Sequence, residues 1–506
     1  MENRFKLLKT NSIIAIGYQF LLIACGFLLP KCILRFYGSE TNGLLSSVAQ
    51  FLAFINICDM GISTVVASAY YKPLAEKNTT LISQIFNYSK KFYRTIGIIF
   101  LVYIFLLLVL LPSAISSEHS PFFIVGLILS MSISQFAQYF IGNSHQVLLN
   151  ADQRSYVQLG INGITLFIST LLSIVLMFLG SSIQVVKLCS AIIYLLRPLA
   201  MMFYVRTHYS INRHILPTAD AVPQKANGII QHISYTIYEN TDIIILTFCS
   251  SLSNVSIYSI YSLVLSSIRN IIISSISGFQ ALFGNMIAKK EFALLQNSFS
   301  FYNWLINSLS SYFFTVAGIL ILPFVTVYTA NVHDVEYRVP LFAFILTLAF
   351  GIGCIRNGLY NLIRAAGHYK QSQHAALAEA FINLVLSFIF VVRFGLVGVA
   401  VATLISAIFF TAYETVYLSK KIVKWPMKNF LTQYGLDAVS VFAMLFLSKW
   451  IFISDENIFA WLISAVQISV YCFIVFLLVH LVFRFKHTKK AIQVIWAFLI
   501  SKRTQQ

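Results

Sequence analysis

Charged residues are scarce in this chain of 506 residues, since only 10% are Asp, Glu, Lys or Arg. Acidic residues are the scarcest, with 17 Asp and Glu against 35 Lys and Arg, while 58% of the residues are apolar. This composition excludes a soluble globular protein and predicts a protein of the lipid bilayer. The basic excess is then expected in the loops between membrane helices, so no nucleic-acid partner is predicted.

Sequence motifs of several enzymes and metalloproteins are also missing. No G-x-x-x-x-G-K-[ST] loop is present, which excludes ATP hydrolysis by a P-loop. The seven cysteines include no C-x-x-C pair, and no histidines have H-E-x-x-H spacing, so we expect no metal and no cofactor. Outward connections are short, which makes a membrane polymerase or acyltransferase the least favoured alternative.

Apolar runs of about 20 residues predict fourteen membrane-spanning helices. Six lie within residues 12–204, six within 229–418, and two at 431–451 and 458–482. We therefore expect an all-α polytopic membrane protein with two pseudo-symmetric six-helix lobes and two further C-terminal helices. The predicted segments are an N-lobe (1–205), a cytoplasmic linker (206–228), a C-lobe (229–420), helices 13 and 14 (421–484) and a basic amphipathic tail (485–506).

The distribution of basic residues predicts the orientation of these helices. Most Lys and Arg residues lie in the even-numbered connections and at the two termini, whereas the odd-numbered connections are short and often acidic. Because positively charged loops remain in the cytoplasm, both termini are expected to be cytoplasmic.

The two six-helix blocks show signs of an internal duplication. Short segments correspond at offsets of 212 to 216 residues: Ser39–Asn42 with Ser251–Asn254, Asn150–Arg154 with Ala366–Lys370, and Gly180 with Gly395. Because each block holds an even number of helices, both copies have the same orientation in the membrane. A pseudo-two-fold axis along the membrane normal and a cavity between the lobes are expected, as in carriers that work by alternating access.

Several segments carry a resemblance to a known family. They are Tyr37–Leu44, Gln50–Ile55, Asp59–Gly61, Tyr71–Lys77, Asn240–Leu246, Val255–Tyr261, Ala365–Lys370 and Phe394–Ala400. Together these segments resemble the corresponding helices of Wzx-type polysaccharide flippases of the MOP (MATE-like) superfamily. The likeness extends over nearly the whole chain.

The resemblance implies a flippase of the bacterial cytoplasmic membrane. Its cargo would be an undecaprenyl-diphosphate-linked oligosaccharide repeat unit, moved from the inner to the outer leaflet for capsule, exopolysaccharide or a related surface polysaccharide. Membrane lipids and a polysaccharide polymerase are the expected partners, and the expected state is a monomer. The alternative within transport is a MATE-like multidrug or cation antiporter.

Cationic side chains within the apolar runs are candidates for binding a diphosphate, because Arg and Lys supply strong donors to phosphate oxygens. We select Lys31, Arg35, Arg269 and Arg356. For Lys31 and Arg35 the alternative is snorkelling from the outer end of helix 1 to the membrane surface. Pro30 lacks a backbone donor for the Gly26 carbonyl, so these two residues predict a hinge in helix 1.

Acidic side chains within the apolar runs are candidates for coupling to H⁺ or Na⁺, because an ionised group in the bilayer is costly. Asp59 lies in helix 2, and Glu239 and Asp242 share one face of helix 7. The alternatives are a structural salt bridge to Arg269 for the pair and a capping role for Asp59. Transport without ion coupling also stays open, since an inside-negative potential favours outward movement of an anion.

Overall fold

The computed structural model describes residues 2–59, 62–115, 117–216, 229–451, 453–454, 456–485 and 488–489. Within these ranges the chain is helical and has no strand, which confirms the all-α class. The α-helices are α1 (Glu2–Ala53), α2 (Ile62–Glu76), α3 (Thr79–Ala114), α4 (Pro121–Ala137), α5 (Asn143–Ala151), α6 (Ser155–Phe178), α7 (Ile183–His208), α8 (Ile229–Cys249), α9 (Leu252–Ile276), α10 (Phe279–Ala288), α11 (Phe292–Tyr328), α12 (Pro340–Ala365), α13 (Tyr369–Tyr417), α14 (Met427–Ser448) and α15 (Ile458–Phe483).

Eleven helical stretches of the described chain are long and apolar enough to cross a membrane. Two of them contain a glycine with non-helical backbone angles, Gly38 in the first and Gly395 in α13, so each comprises two helices. Helix α8 has 21 residues, a length of about 31 Å that matches a bilayer core. With these divisions the described chain contains the fourteen predicted helices of a multi-pass membrane protein.

The second predicted helix is interrupted near its middle. α1 ends at Ala53, a 3₁₀-helix covers Phe54–Asp59, and α2 begins at Ile62. Asp side chains compete for backbone hydrogen bonds and glycine is a poor helix former. The sequence Asp-Met-Gly at positions 59–61 therefore fits a local opening of the helix.

The connection between predicted helices 1 and 2 lies at Gly38, whereas Gly26 and Pro30 lie inside helix 1. Gly38 has φ 79° and ψ 178° and is the residue within α1 that leaves the helical range, whereas Pro30 lies inside the helix. Proline removes one backbone hydrogen bond but has a φ that suits a helix. A positive φ favours glycine, which has no Cβ. The hinge at Gly26 and Pro30 stays a prediction.

Left-handed backbone positions recur at a nearly constant spacing, which supports the predicted duplication. Lys77 and Lys290 are 213 residues apart, Gln153 and Gly367 are 214 apart, and Gly180 and Gly395 are 215 apart. Each lies at or just after the end of a helix, where a left-handed residue turns the chain away. The same turns thus occur in the same order in both halves.

The chain divides into two compact units, Met1–Ser259 and Ile260–Gln506. The boundary lies within α9, so α8 is part of the first unit together with the six preceding membrane helices. Its place there follows from its contacts with α1 and with Phe54–Asp59. Fully buried side chains such as Tyr70, Phe100 and Leu127 form the core of this unit.

In the second unit the two C-terminal membrane helices pack on α11. Met444 of α14 and Cys472 of α15 form one apolar cluster with Val316 and Leu320 of α11. Elsewhere in this unit α12 packs against α10, α11 and α13. The predicted linker and amphipathic tail lie largely outside the described residues, at 217–228 and 490–506.

Candidate functional site

The two cations of helix 1 lie one turn apart in the first unit. Lys31 is partly exposed and Arg35 is exposed. The positive charges of both lie close enough to the Cys32 thiol to interact with it electrostatically. The guanidinium carbon of Arg35 lies 5.9 Å from the centroid of the Phe36 ring. Arg35 is therefore accessible to an anion, and the same position also suits snorkelling.

Asp59 ends the 3₁₀-helix that interrupts helix 2. The hydroxyl of Ser63 donates to its Oδ2 at 2.8 Å, while its Oδ1 is buried without a hydrogen-bond partner. The hydroxyl groups of Tyr93 and Tyr139 lie within electrostatic reach of this carboxyl group. Asp59 therefore lies among hydroxyl groups, and both roles predicted for it, capping and ion coupling, stay predictions.

The paired acids of α8 differ in their surroundings. Asp242 is only 5% exposed, and the Tyr258 hydroxyl donates to its Oδ2 at 2.7 Å. Glu239 is partly exposed on the same helix. Asp242 thus has a neutral donor on α9, and this contact between α8 and α9 lies entirely within the first unit.

A row of polar contacts joins the second part of α1 to α8 and α9; we refer to it as the polar seam. It consists of the bonds from Asn42 Nδ2 to Ser256 Oγ at 2.7 Å, between the Ser47 and Thr247 hydroxyls at 2.7 Å, and between the Gln50 and Asn240 side chains. Hydroxyl and amide pairs can exchange with water at low net cost. The seam therefore joins these helices through neutral polar side chains within the first unit.

The two remaining predicted cations lie in the second unit. Arg269, on α9, is partly exposed, and its guanidinium carbon is 5.2 Å from the centroid of the Phe350 ring. Arg356 is only 3% exposed and forms a buried salt bridge with Glu379 of α13. In this structure Arg356 is therefore engaged by a carboxylate inside the protein and is closed to a diphosphate.

Three buried acids of the second unit were missed in the sequence analysis: Glu379, Glu414 and Asp437, which are at most 6% exposed. Each lies within a predicted membrane-spanning helix, Glu379 and Glu414 on α13 and Asp437 on α14. The cost of an ionisable group within the bilayer would have been sufficient to select them.

No family model matches the chain, and no curated protein matches its sequence significantly. Solved structures do match. The lipid II flippase MurJ in an inward closed conformation superposes with a TM-score of 0.65 and 16% identity, covering 94% of this chain and 98% of the flippase.

Two multidrug transporters match over a smaller part of this chain. An inward-facing multidrug resistance MATE family transporter of the MOP superfamily has a TM-score of 0.59 and 11% identity, and it covers 81% of this chain and 98% of the transporter. The MATE multidrug transporter DinF-BH has a TM-score of 0.57 and 16% identity, with coverages of 83% and 96%. The chain therefore has the fold that these transporters share.

Proposed function

We propose that this protein is a lipid-linked oligosaccharide flippase that moves an undecaprenyl-diphosphate-linked repeat unit from the inner to the outer leaflet by alternating access. The main support is the extent of the structural match. The lipid II flippase covers 94% of this chain, but the two MATE transporters cover 81% and 83%. This difference in the covered share of the chain corresponds to about the length of α14, α15 and their connections.

The two C-terminal helices have surfaces suited to a polyprenyl tail. Phe442 and Phe446 on α14, and Val466, Val470 and Phe473 on α15, are all exposed. Apolar side chains facing lipid carry no cost in a bilayer, and they offer apolar contacts to a long isoprenoid chain. A multidrug antiporter has no comparable need for such a surface.

The diphosphate of the cargo requires cationic donors. We assign this role to Lys31, Arg35 and Arg269, with Arg356 acting only if its salt bridge opens. Arg pairs with phosphate oxygens through two parallel hydrogen bonds, which makes Arg35 and Arg269 the stronger candidates. Mutation of Arg269 to Ala should abolish export while the protein remains folded and inserted.

The energy for export has two candidate sources. Outward movement of about two negative charges is favoured by roughly 4 to 5 kcal/mol per 100 mV of inside-negative potential. Alternatively, Asp59, Glu239 and Asp242 couple transport to H⁺ or Na⁺. If Glu239→Gln with Asp242→Asn leaves the response to an imposed ion gradient unchanged, these two acids do not carry the coupling.

The decisive experiment is to delete the protein from its native cell and to identify the lipid-linked intermediate that accumulates in the inner leaflet. We expect an oligosaccharide on undecaprenyl diphosphate, restored to normal by the wild-type chain. The proposed location in a bacterial cytoplasmic membrane, with both termini in the cytoplasm, is tested in the same cells by labelling single cysteines at each terminus. Chemical cross-linking there tests for a polysaccharide polymerase as partner and for the monomeric state.

The second candidate is a multidrug or cation antiporter, favoured by the shared fold of the MATE transporters and by the buried acid Asp242. Under this function the deletion strain becomes sensitive to cationic drugs and accumulates no lipid-linked sugar. That result would replace the flippase proposal.

A further inference from the structure

Four charged side chains form a buried cluster within the second unit: Arg356 and Arg364 on α12, and Glu379 and Glu414 on the two halves of α13. We refer to it as the arginine–glutamate cluster. Arg356 is bound to Glu379, and Arg364 donates to the Asn361 side-chain oxygen. Glu414 lies within electrostatic reach of the other three members. The cluster thus holds two cations and two acids, but only one ion pair.

Glu414 is the unusual member of this cluster. Its side chain is 0% exposed, and neither of its carboxyl oxygens has a hydrogen-bond partner. Buried polar groups in folded proteins are nearly always satisfied, and an ionised carboxylate without a donor is far too costly to bury. A carboxyl group in this position is stable when it carries a proton and is neutral.

The groups around Glu414 also argue against a metal ion bound to its carboxylate. Arg356 and Arg364 face it from α12, and a metal cation between two guanidinium groups would be repelled. The remaining titratable neighbours are Glu379 and the phenols of Tyr302 on α11, Tyr360 on α12, Tyr413 on α13 and Tyr434 on α14. A proton neutralises the carboxylate through a covalent O–H bond and needs no further ligands.

An unused donor is present for the deprotonated form. Nε of Arg364 is buried without a hydrogen-bond partner. Arg364 and Arg356 are eight residues apart on one helix, which corresponds to about 12 Å along the axis. A carboxylate at Glu414 can therefore pair with Arg364 or compete with Glu379 for Arg356, and either change would shift α12 relative to α13.

A pair of polar side chains lies near Glu414 at the C-terminal end of α13. Tyr417 lies three residues from Glu414 on the same helix face, and its hydroxyl is 2.8 Å from Nδ1 of His368. Both side chains are partly exposed. On deprotonation the O–H bond of Glu414 breaks, the electron pair stays on the carboxylate, and the proton is released to bulk water.

We propose that Glu414 is a proton-binding site. When it loses its proton, its carboxylate forms an ion pair with an arginine of the cluster, and this new pair moves α12 relative to α13. Proton binding is independent of the cargo. The consequence that this movement couples transport to a proton gradient rests on the proposed flippase function.

Infrared spectroscopy of the purified full-length protein tests proton binding directly. We expect a C=O stretching band of a protonated, buried carboxylic acid at neutral pH. Glu414→Gln should lose this band, Glu414→Asp should keep it at a shifted frequency, and the control Glu291→Gln, at an exposed acid, should leave it unchanged. A band of equal size and frequency in all four proteins would overturn the proposal, and the Asp variant keeps the test valid if the Gln variant does not fold.

Hydrogen exchange tests the movement without any cargo. Intrinsic amide exchange rises with pH in any protein, so protection factors are compared. Raising the pH should lower the protection of α12 in the wild-type protein and leave it constant in the Glu414→Gln variant. A variant whose α12 protection falls with pH as in the wild type would also overturn the proposal. Because neither measurement uses a lipid-linked sugar, failure of the flippase function leaves both results interpretable.

Discussion

Gly43 of α1 lies directly against the backbone of Leu252 at the start of α9. A Cβ atom placed on Gly43 would be 1.8 Å from the Leu252 carbonyl oxygen. The contact lies within the polar seam, next to the bond between Asn42 and Ser256. Only glycine allows the two helices to approach this closely, so Gly43 sets the distance between α1 and α9 at the polar seam.

Mutation of Gly43 to Ala should therefore destabilise the protein. The obstructing atom belongs to the backbone and cannot rotate away, so α1 and α9 must separate, at a cost of about 1–3 kcal/mol. The melting temperature of the purified protein in detergent measures this loss. Gly17→Ala is the matched control, since Gly17 lies in the part of α1 before Gly38 and an added Cβ there has nothing within 4 Å. Equal melting temperatures for the two variants would contradict the close contact.

A second glycine prediction concerns the break in α13. Gly395 has φ 53° and ψ −129°, a combination that side chains with a Cβ rarely adopt. Gly395→Ala should cost about 1–3 kcal/mol through backbone strain alone, because no atom lies within 4 Å of the added methyl group. Gly435→Ala in α14 is the control and should be neutral or slightly stabilising. Chemical denaturation of both variants checks the difference.

The helix count and the duplication could be predicted from the sequence because a bilayer demands long apolar runs whatever the tertiary structure. The backbone angles of the connections could not. Gly38 and Gly395 carry non-helical angles at two of these connections. Backbone reversals depend on packing, which a single sequence does not reveal.

The candidate site was predictable in part. Asp59 and Asp242 were selected by their cost in a membrane, and both lie in polar surroundings. The ion pair of Arg356 was not foreseen, because Glu379 is 23 residues away and the two meet only through the packing of α12 on α13. Selecting a charged residue from a sequence is therefore easier than deciding what it binds.

The bond from Tyr258 to Asp242 leads to a prediction about stability. Tyr258→Phe removes the hydroxyl that donates to Oδ2 of the buried Asp242 side chain. The loss of this hydrogen bond should lower the free energy of unfolding by about 1–3 kcal/mol. Adding Asp242→Asn should recover part of the loss, since a neutral amide is cheaper to bury than a carboxylate. Tyr71→Phe, at an exposed tyrosine of α2, is the control. The melting temperatures of these proteins decide the matter, and a Tyr258→Phe variant as stable as the control would refute the prediction.

Arg35 allows the two interpretations of the helix 1 cations to be separated. If Arg35 binds the diphosphate through two parallel hydrogen bonds, Arg35→Lys should lower the translocation rate about tenfold or more, since such bonds to charged groups are worth about 1.5–3 kcal/mol each. If Arg35 only snorkels, Lys serves equally well. Translocation of the lipid-linked oligosaccharide in proteoliposomes is the measurement. Arg206→Lys, in the last turn of α7, is the control and should keep the wild-type rate.

The salt bridge between Arg356 and Glu379 distinguishes a structural cation from one that binds cargo. Arg356→Ala leaves Glu379 buried without its partner and should destabilise the protein by about 3–5 kcal/mol. The double variant Arg356→Met with Glu379→Leu removes both charges and should recover most of this loss, because an apolar pair of similar volume is often at least as stable as a buried ion pair. Melting temperatures measure stability, and translocation in proteoliposomes measures function. A double variant that is stable and still transports assigns Arg356 to the protein interior. A stable double variant without transport would instead return Arg356 to the diphosphate site.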